Sequence, residues 1–436
     1  MLLAAALLAV SALRAAPTCA AADDLARLLA AAVDLPTPEA RRDAAVKLAG
    51  REDVTLEAWL TAMRAFGVFE RVAAGSRTEK APLQVAAARE EAAVAVFVPK
   101  SHAPGKPAPL VFALHGAGGE GHDEDALWTE AAEQAGALVV APTDPAGDLG
   151  LKYGEAARQR AFAALRWARR RFDVDENRIV LTGVSRGGHL TWDLATRCPD
   201  HFAAIAPMIG GPRLTIAEGQ NNLRYVENVA HMPIRDLQGA RDDSLLLENL
   251  RLAFRRLEAA GARDARLVEF SDRGHDFDPH AVDWKEFLAR AVREPMRPRV
   301  VRACARLDEA RSAWAEVTRF AAGIDETFRP DISAAELKKL DESGKRAWVQ
   351  GEADRRTARL EVKMDDVGRF TATTSGVQRF RLLLPAEMFV ARAPVEVTTN
   401  GRLARYEAKA SKLVLLREFV ERFDRTFLPV AEISCP

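Results

Sequence analysis

The sequence predicts an α/β protein: a mainly parallel sheet covered by helices on both faces, with a helical segment before it and a β-rich domain after it. Three observations carry this. Apolar strand-like runs alternate with helical stretches through the middle of the chain, the pattern of crossover-connected parallel strands. Residues 23 to 75 show only helical periodicity. Beyond Pro295 and Pro298 the rhythm changes to short alternating segments.

With 436 residues and 48% hydrophobic content the chain can bury a core in each of two or three units. The expected divisions are a signal peptide over 1–22, a helical leader over 23–80, the sheet-bearing domain over 81–294 and the β-rich domain over 295–436. The first rests on the apolar run Leu2 to Leu13, followed by small residues up to Ala22 and then Asp23 and Asp24, and implies a secreted or periplasmic protein. A membrane-spanning helix needs about 20 apolar residues, and the rest of the chain supplies none. Lys plus Arg and Asp plus Glu both total 62. With no long basic block, nucleic acid is excluded as an expected partner. No cysteine pattern has zinc-ligand spacing, so no metal is implied. Cys304 and Cys435 are the pair an oxidising compartment would let join, with two buried thiols as the equal alternative.

In the leader, Thr37-Pro38 reads as an N-cap and first helical residue, and Leu56, Trp59, Leu60, Met63 and Phe66 share one face. Strands follow at Leu110 to Leu114, Leu138 to Ala141, Ile179 to Thr182, Ala203 to Met208, Ile234 to Gln238 and Arg266 to Phe270. Helical patterns cover Ala156 to Arg171, Gly188 to Arg197 and Leu245 to Ala260. In the tail, Arg359 to Lys363, Phe380 to Leu384 and Val395 to Val397 read as strands, and Asn400-Gly401 as a tight turn. A helix over Ser411 to Phe423 precedes a last strand near Phe427 to Ile433.

Gly183-Val184-Ser185-Arg186-Gly187 lies between a predicted strand and a predicted helix, where a nucleophilic serine is exposed on a sharp turn whose flanking residues must be small. A serine hydroxyl needs a base, and the base an orienting acid. Downstream, Gly239-Ala240-Arg241-Asp242-Asp243 places a carboxylate after a strand. Asp242 is the expected acid, with Asp243 as runner-up; either can instead cap the next helix. Ser271-Asp272-Arg273-Gly274-His275-Asp276 then offers His275 as the base, Gly274 giving the backbone freedom to aim it. For the oxyanion of acyl transfer, the backbone N–H of Arg186 is one expected donor. The other comes from Ala117 or Gly118 in His115-Gly116-Ala117-Gly118-Gly119. His115 reads as loop structure. No GxGxxG or Walker pattern accompanies these glycines, and no cofactor is expected.

Together these four motifs resemble the α/β-hydrolase superfamily, over about residues 83 to 294. Within it the chain is most similar to secreted esterases of the feruloyl esterase and polyhydroxybutyrate depolymerase kind, and to prolyl-oligopeptidase-type hydrolases. Asp236-Leu237-Gln238 departs from that pattern by placing polar residues in a normally buried strand. The expected activity is cleavage of a small-molecule or polymer-derived ester through an acyl-enzyme on Ser185. The alternatives are a serine peptidase acting on short peptides and a non-catalytic binding protein on the same scaffold. The sequence assigns no partner to the β-rich tail.

Overall fold

The computed structural model describes residues 19–86, 88–144, 154–214, 221–328 and 332–436. Most of the expected signal peptide, residues 1–18, lies outside them. Three helices open the described chain: α1 (Cys19–Val33), α2 (Pro38–Ala49) and α3 (Leu56–Arg64). The Thr37 hydroxyl accepts from the Ala40 N–H at 3.2 Å, and Pro38 occupies the first turn, where no N–H is required. The stripe read from the sequence is buried at Trp59, Met63 and Phe66.

The sheet-bearing domain runs through β1 (Gly75–Val85), β2 (Ala88–Val98), β3 (Ala108–Leu114), α4 (Gly121–Ala135), β4 (Leu138–Pro142), α5 (Glu155–Arg171), β5 (Val174–Val184), α6 (Arg186–Arg197), β6 (Ala204–Met208), β7 (Ile234–Gly239), α7 (Ser244–Ala259), β8 (Ala265–Phe270) and α8 (Trp284–Arg290). Its eight strands follow the order β1-β2-β4-β3-β5-β6-β7-β8. The strand β2 is antiparallel to both neighbours and β3 to β8 are parallel. The pleat divides β3 between two cores: Leu110, Phe112 and Leu114 pack with residues of α5, α6 and α7, whereas Val111 and Ala113 pack with residues of α4 and α8. Burial of both faces explains why the central strands read as unbroken apolar runs. The sheet begins at Gly75, ahead of the expected boundary at 81, because β1 and β2 form a long edge hairpin whose first β1 residues are mostly polar or charged.

On α4, Glu124 is only 3% exposed and its Oε2 has no hydrogen-bond partner among the described residues. Burial, aided by the charge of Asp123, pushes its carboxyl up to about 8. A carboxyl whose folded-state pKa is raised holds its proton longer in the fold than in the unfolded chain, so its ionisation lowers stability as pH rises between the two values. Glu124→Gln is therefore expected to flatten the fall of Tm between about pH 5 and 8 and to raise Tm at the alkaline end. An unchanged Tm profile in a pH series of thermal melts would refute this.

The tail contains β9 (Arg299–Cys304), β10 (Arg311–Ser312), β11 (Ala315–Phe320), α9 (Ala334–Leu337), α10 (Glu342–Arg355), β12 (Ala358–Asp366), β13 (Arg369–Ser375), β14 (Val377–Leu384), β15 (Pro394–Thr399), β16 (Arg402–Glu407), α11 (Lys412–Arg422) and β17 (Ala431–Cys435). A four-stranded sheet, β10-β11-β14-β17, and a five-stranded sheet, β16-β15-β13-β12-β9, share one apolar core that includes Trp314, Leu360, Phe380 and Val397. Asn400 and Gly401 both adopt positive φ in the β15-β16 hairpin, as the tight turn requires. Cys304 and Cys435 are buried free thiols, as is the second of the two readings above. Helix α11 leaves the tail and completes the leader: Leu415, Leu416, Phe419 and Val420 join Trp59, Met63 and Phe66 in one core. No helix among the described residues is long and apolar enough to cross a membrane.

Candidate active site

The parallel strands end on one edge of the sheet, and the motif residues lie in the loops that leave it. Ser185 sits between β5 and α6 at φ 55°, ψ −112°, a conformation an L-residue adopts only when its surroundings impose it. Its N–H donates to Met208 O at 2.8 Å and its carbonyl accepts from His189 N–H at 2.9 Å, which ties the turn to β6 and to the first turn of α6. The elbow is also pressed against the end of β3. A Cβ built on Gly187 would overlap the Leu114 carbonyl oxygen, a backbone atom that cannot swing aside. Gly187→Ala must displace the serine, and a shift of about 1 Å at a reacting group costs on the order of 100-fold in rate. The expected result is that loss in kcat in a protein that still unfolds cooperatively; wild-type turnover in such a sample would refute the steric account.

Asp242 and His275 come from the loops after β7 and β8. The loops touch: a Cβ on Gly239 would overlap Gly274 O, and Arg241 N–H donates to Arg273 O at 2.9 Å. The close approach therefore demands glycine at 239, whereas Gly274, expected to supply conformational freedom, does not use the left-handed region. His275 Nε2 lies 2.8 Å from Ser185 Oγ, and His275 Nδ1 lies 2.8 Å from Asp242 Oδ2. Burial alone would raise the Asp242 carboxyl. Hydrogen bonds from the Asp243 N–H, His275 and Gln238 outweigh it and hold the group below the ordinary aspartate range. An ionised Asp242 accepts only, so Nδ1 carries the imidazole proton, and Nε2 of the neutral ring is free to accept from the Ser185 hydroxyl. The His275 side chain is 51% exposed and that of Asp242 10%, so the imidazole is open to solvent while the carboxylate is shielded. Asp243, the runner-up, faces the other way and caps α7 by accepting from Leu246 N–H at 2.9 Å.

Sequence reasoning missed two contributions here. Gln238 is fully buried and donates from Nε2 to Asp242 Oδ2 at 2.7 Å, orienting the acid from within β7. Asp236, also fully buried, accepts from Trp192 Nε1 at 2.7 Å, and burial holds its carboxyl well above the ordinary range. The departure at 236–238 thus consists of polar side chains that each have a partner. The available signal was the polarity itself, in a strand buried along its whole length.

Of the expected oxyanion donors, the Arg186 N–H opens α6, where helix N-terminal amides favour an anion. The Arg186 side chain is buried and pairs with Asp144 at 2.7 Å. Ala117 and Gly118 lie in the loop after β3, with Gly118 at φ 73°. The neighbouring Gly116 abuts the elbow, its Cβ direction 3.7 Å from Ser185 Cβ.

Residues 146–297 match the family model described as the dienelactone hydrolase family. A candidate carboxymethylenebutenolidase of Escherichia coli K12 is 32% identical over 115 residues, which is 26% of this chain and 41% of that protein. The chain thus spans less than half the length of that relative. Among solved structures, a thermostable esterase shares 26% identity over 49% of this chain and 59% of its own, with a TM-score of 0.37. A candidate dienelactone hydrolase from Klebsiella pneumoniae shares 22% identity over 50% of this chain and 98% of its own, with a TM-score of 0.40. The sheet-bearing domain thus has a mainly parallel α/β arrangement, and residues 146–297 of the chain match the dienelactone hydrolase family model.

Proposed function

We propose that this protein is a serine hydrolase that cleaves a carboxylic ester through an acyl-enzyme on Ser185. One observation carries the reading: the unbroken hydrogen-bond chain from Ser185 Oγ through His275 to Asp242. As Oγ attacks the acyl carbon, its proton passes to His275 Nε2, and Asp242 stabilises the resulting imidazolium. The tetrahedral oxyanion takes hydrogen bonds from the Arg186 N–H and from the Ala117 or Gly118 N–H. Collapse breaks the ester C–O bond, and the leaving alkoxide takes the proton from His275. Water then repeats the sequence on the acyl-enzyme, giving up its proton to His275 and releasing the acid and free Ser185.

The match to dienelactone hydrolases and the resemblance to carboxymethylenebutenolidase, both named for cyclic esters, favour an ester over a peptide. Export through a signal peptide over 1–22 belongs to the same reading, supported by the apolar run Leu2 to Leu13. The test is a fluorophosphonate probe followed by a panel of nitrophenyl esters, feruloyl esters, lactones and peptide anilides. Covalent labelling at Ser185 and turnover confined to esters are expected. A folded protein without a Ser185 adduct would put the non-catalytic scaffold first, and faster turnover of the anilides would make it a peptidase.

A further inference from the structure

A second concavity lies at the opposite end of the sheet from Ser185, among the segments that lead into β6, β7 and β8 and the start of β9. Ser185, Asp242 and His275 sit beyond the far ends of these parallel strands. The five residues of β6, at about 3.3 Å each, put roughly 16 Å between the two ends. The cleft encloses about 430 Å³, within the range of small-molecule sites. One side belongs to the sheet-bearing domain and the other to the tail, and Met232, Val292 and Val301 give it apolar walls. Its charged lining is five arginines against three carboxylates.

Most of those charges are already matched. Glu227 pairs with Arg256, Asp264 with Arg235 and Arg293 with Asp424, each at 2.7 Å, and Arg299 pairs with Glu361 at 2.9 Å. Arg297 is the exception. It is only 6% exposed, and among the described residues its guanidinium makes a single hydrogen bond, from Nη2 to Ser312 Oγ at 2.8 Å. Asp200, the carboxylate beside it, is 3.9 Å away and is shared with Arg422 at 3.4 Å and Arg311 at 3.8 Å. A guanidinium carries five N–H donors, and burying a charge that is incompletely paired is costly. An anion in the cleft supplies what the fold does not. At the rim, Arg263 is exposed and has no partner among the described residues. Arg290 is 57% exposed and meets Glu286 at 3.3 Å and Asp264 at 3.8 Å. Glu294, the lining carboxylate with no ion pair among the described residues, is exposed and free to turn toward water.

We propose that this cleft binds an organic acid, a carboxylate or phosphate head on an apolar body, with Arg297 as the anchor at its floor and Arg263 and Arg290 closing on it from the rim. The planar guanidinium fork matches either head group. The volume and the apolar walls suit a body larger than an inorganic ion. The site stands apart from Ser185 and is independent of the reaction read there.

Titration calorimetry of the full chain with benzoate and with phenyl phosphate, beside benzyl alcohol as the uncharged control, tests this. Saturable binding of at least one acid at a single site is expected, and the tighter of the two assigns the head group. That acid should also raise the Tm of the wild type. Arg297→Met, which keeps an unbranched side chain at the floor, should weaken binding by roughly 10- to 100-fold, the value of a hydrogen bond to a charged group. Should Arg297→Met fail to fold, the double variant Arg263→Gln/Arg290→Gln carries the test, because both side chains are exposed; a loss of at least about 10-fold is expected there, and unchanged affinity overturns the proposal. No saturable binding of either acid, or equal affinity for benzyl alcohol, also overturns it. So does binding that survives in the folded variants and vanishes once Ser185 carries a phosphonate, since the acid then sits at the nucleophile.

Discussion

On the proposed mechanism, Ser185→Ala is expected to lower turnover by about a millionfold, on the order of 8 kcal/mol of barrier, while the domain stays folded. The substitution deletes one oxygen atom and one hydrogen bond, that to His275 at 2.8 Å. The bonds that form the elbow are main-chain ones, from Ser185 N–H to Met208 O and from His189 N–H to Ser185 O, and an alanine keeps both. The structural loss is therefore about 1 kcal/mol at a partly exposed hydrogen bond, small against the chemical one. Arg186→Ala provides the contrast. Its backbone N–H remains as an oxyanion donor, but the side chain's pair with Asp144 is lost. A fall of no more than about 100-fold, the value of one donor, is expected there. Single-turnover kinetics with the purified variants, each first shown to melt cooperatively, make the comparison. Equal losses in the two would mean that Ser185 does not act as a covalent nucleophile.

The residues proposed to carry this chemistry stood out in the sequence for different reasons. Ser185 is marked by glycines that the close approach of β5, α6 and β3 demands, so a steric necessity is written as a short motif. Asp242 and His275 follow β7, buried but partly polar, and β8, partly exposed, so it was their place in polar loops and their order along the chain that marked them. Gln238 was opaque because its contact depends on a partner, Asp242, that only the folded loop brings to it. The sheet's start was placed at 81 rather than at Gly75 because Arg77, Glu79 and Lys80 dilute the strand signal at the beginning of β1. Helix α10 escaped notice for a related reason: only Glu352 and Ala353 are buried along it, so it has almost no apolar stripe to detect. The helix α11, by contrast, was seen, but its partner was not, since nothing local says that Phe419 will pack edge-on against Phe66 with centroids 5.1 Å apart.

That last contact bears on the second large effect, expected when the chain is cut after Glu294. The sheet-bearing domain looks separable in sequence, yet α6, which follows Ser185, is completed from the tail. Asp193 on α6 is fully buried and is shared by Arg158 at 3.1 Å, Arg197 at 2.9 Å and Asn222 at 3.0 Å. Arg197, with no exposed side-chain surface, reaches on to Glu309 and Glu326, both at 2.6 Å. Arg302 donates to the Arg197 carbonyl at 2.7 Å, at the end of α6 where helix carbonyls have no partner of their own. Truncation removes both glutamates and that cap, leaving a guanidinium whose burial the carboxylates made tolerable. It also strips Leu415, Leu416, Phe419 and Val420 from the leader core, uncovering Trp59, Met63 and Phe66. Residues 1–294 should accordingly fail to form a cooperatively folded protein. Arg197→Ala in the full chain isolates the electrostatic part: breaking a buried ion pair from one side costs roughly 3–5 kcal/mol, read as a fall in unfolding free energy with kcat retained wherever the variant remains folded. If the truncated chain instead melts in one transition and still reacts with phosphonate at Ser185, the tail is an appendage. Because α6 begins directly after Ser185, the proposed nucleophile, and carries these ion pairs at its other end, the β-rich domain is expected to act as part of the scaffold that supports the elbow rather than as a detachable recognition module.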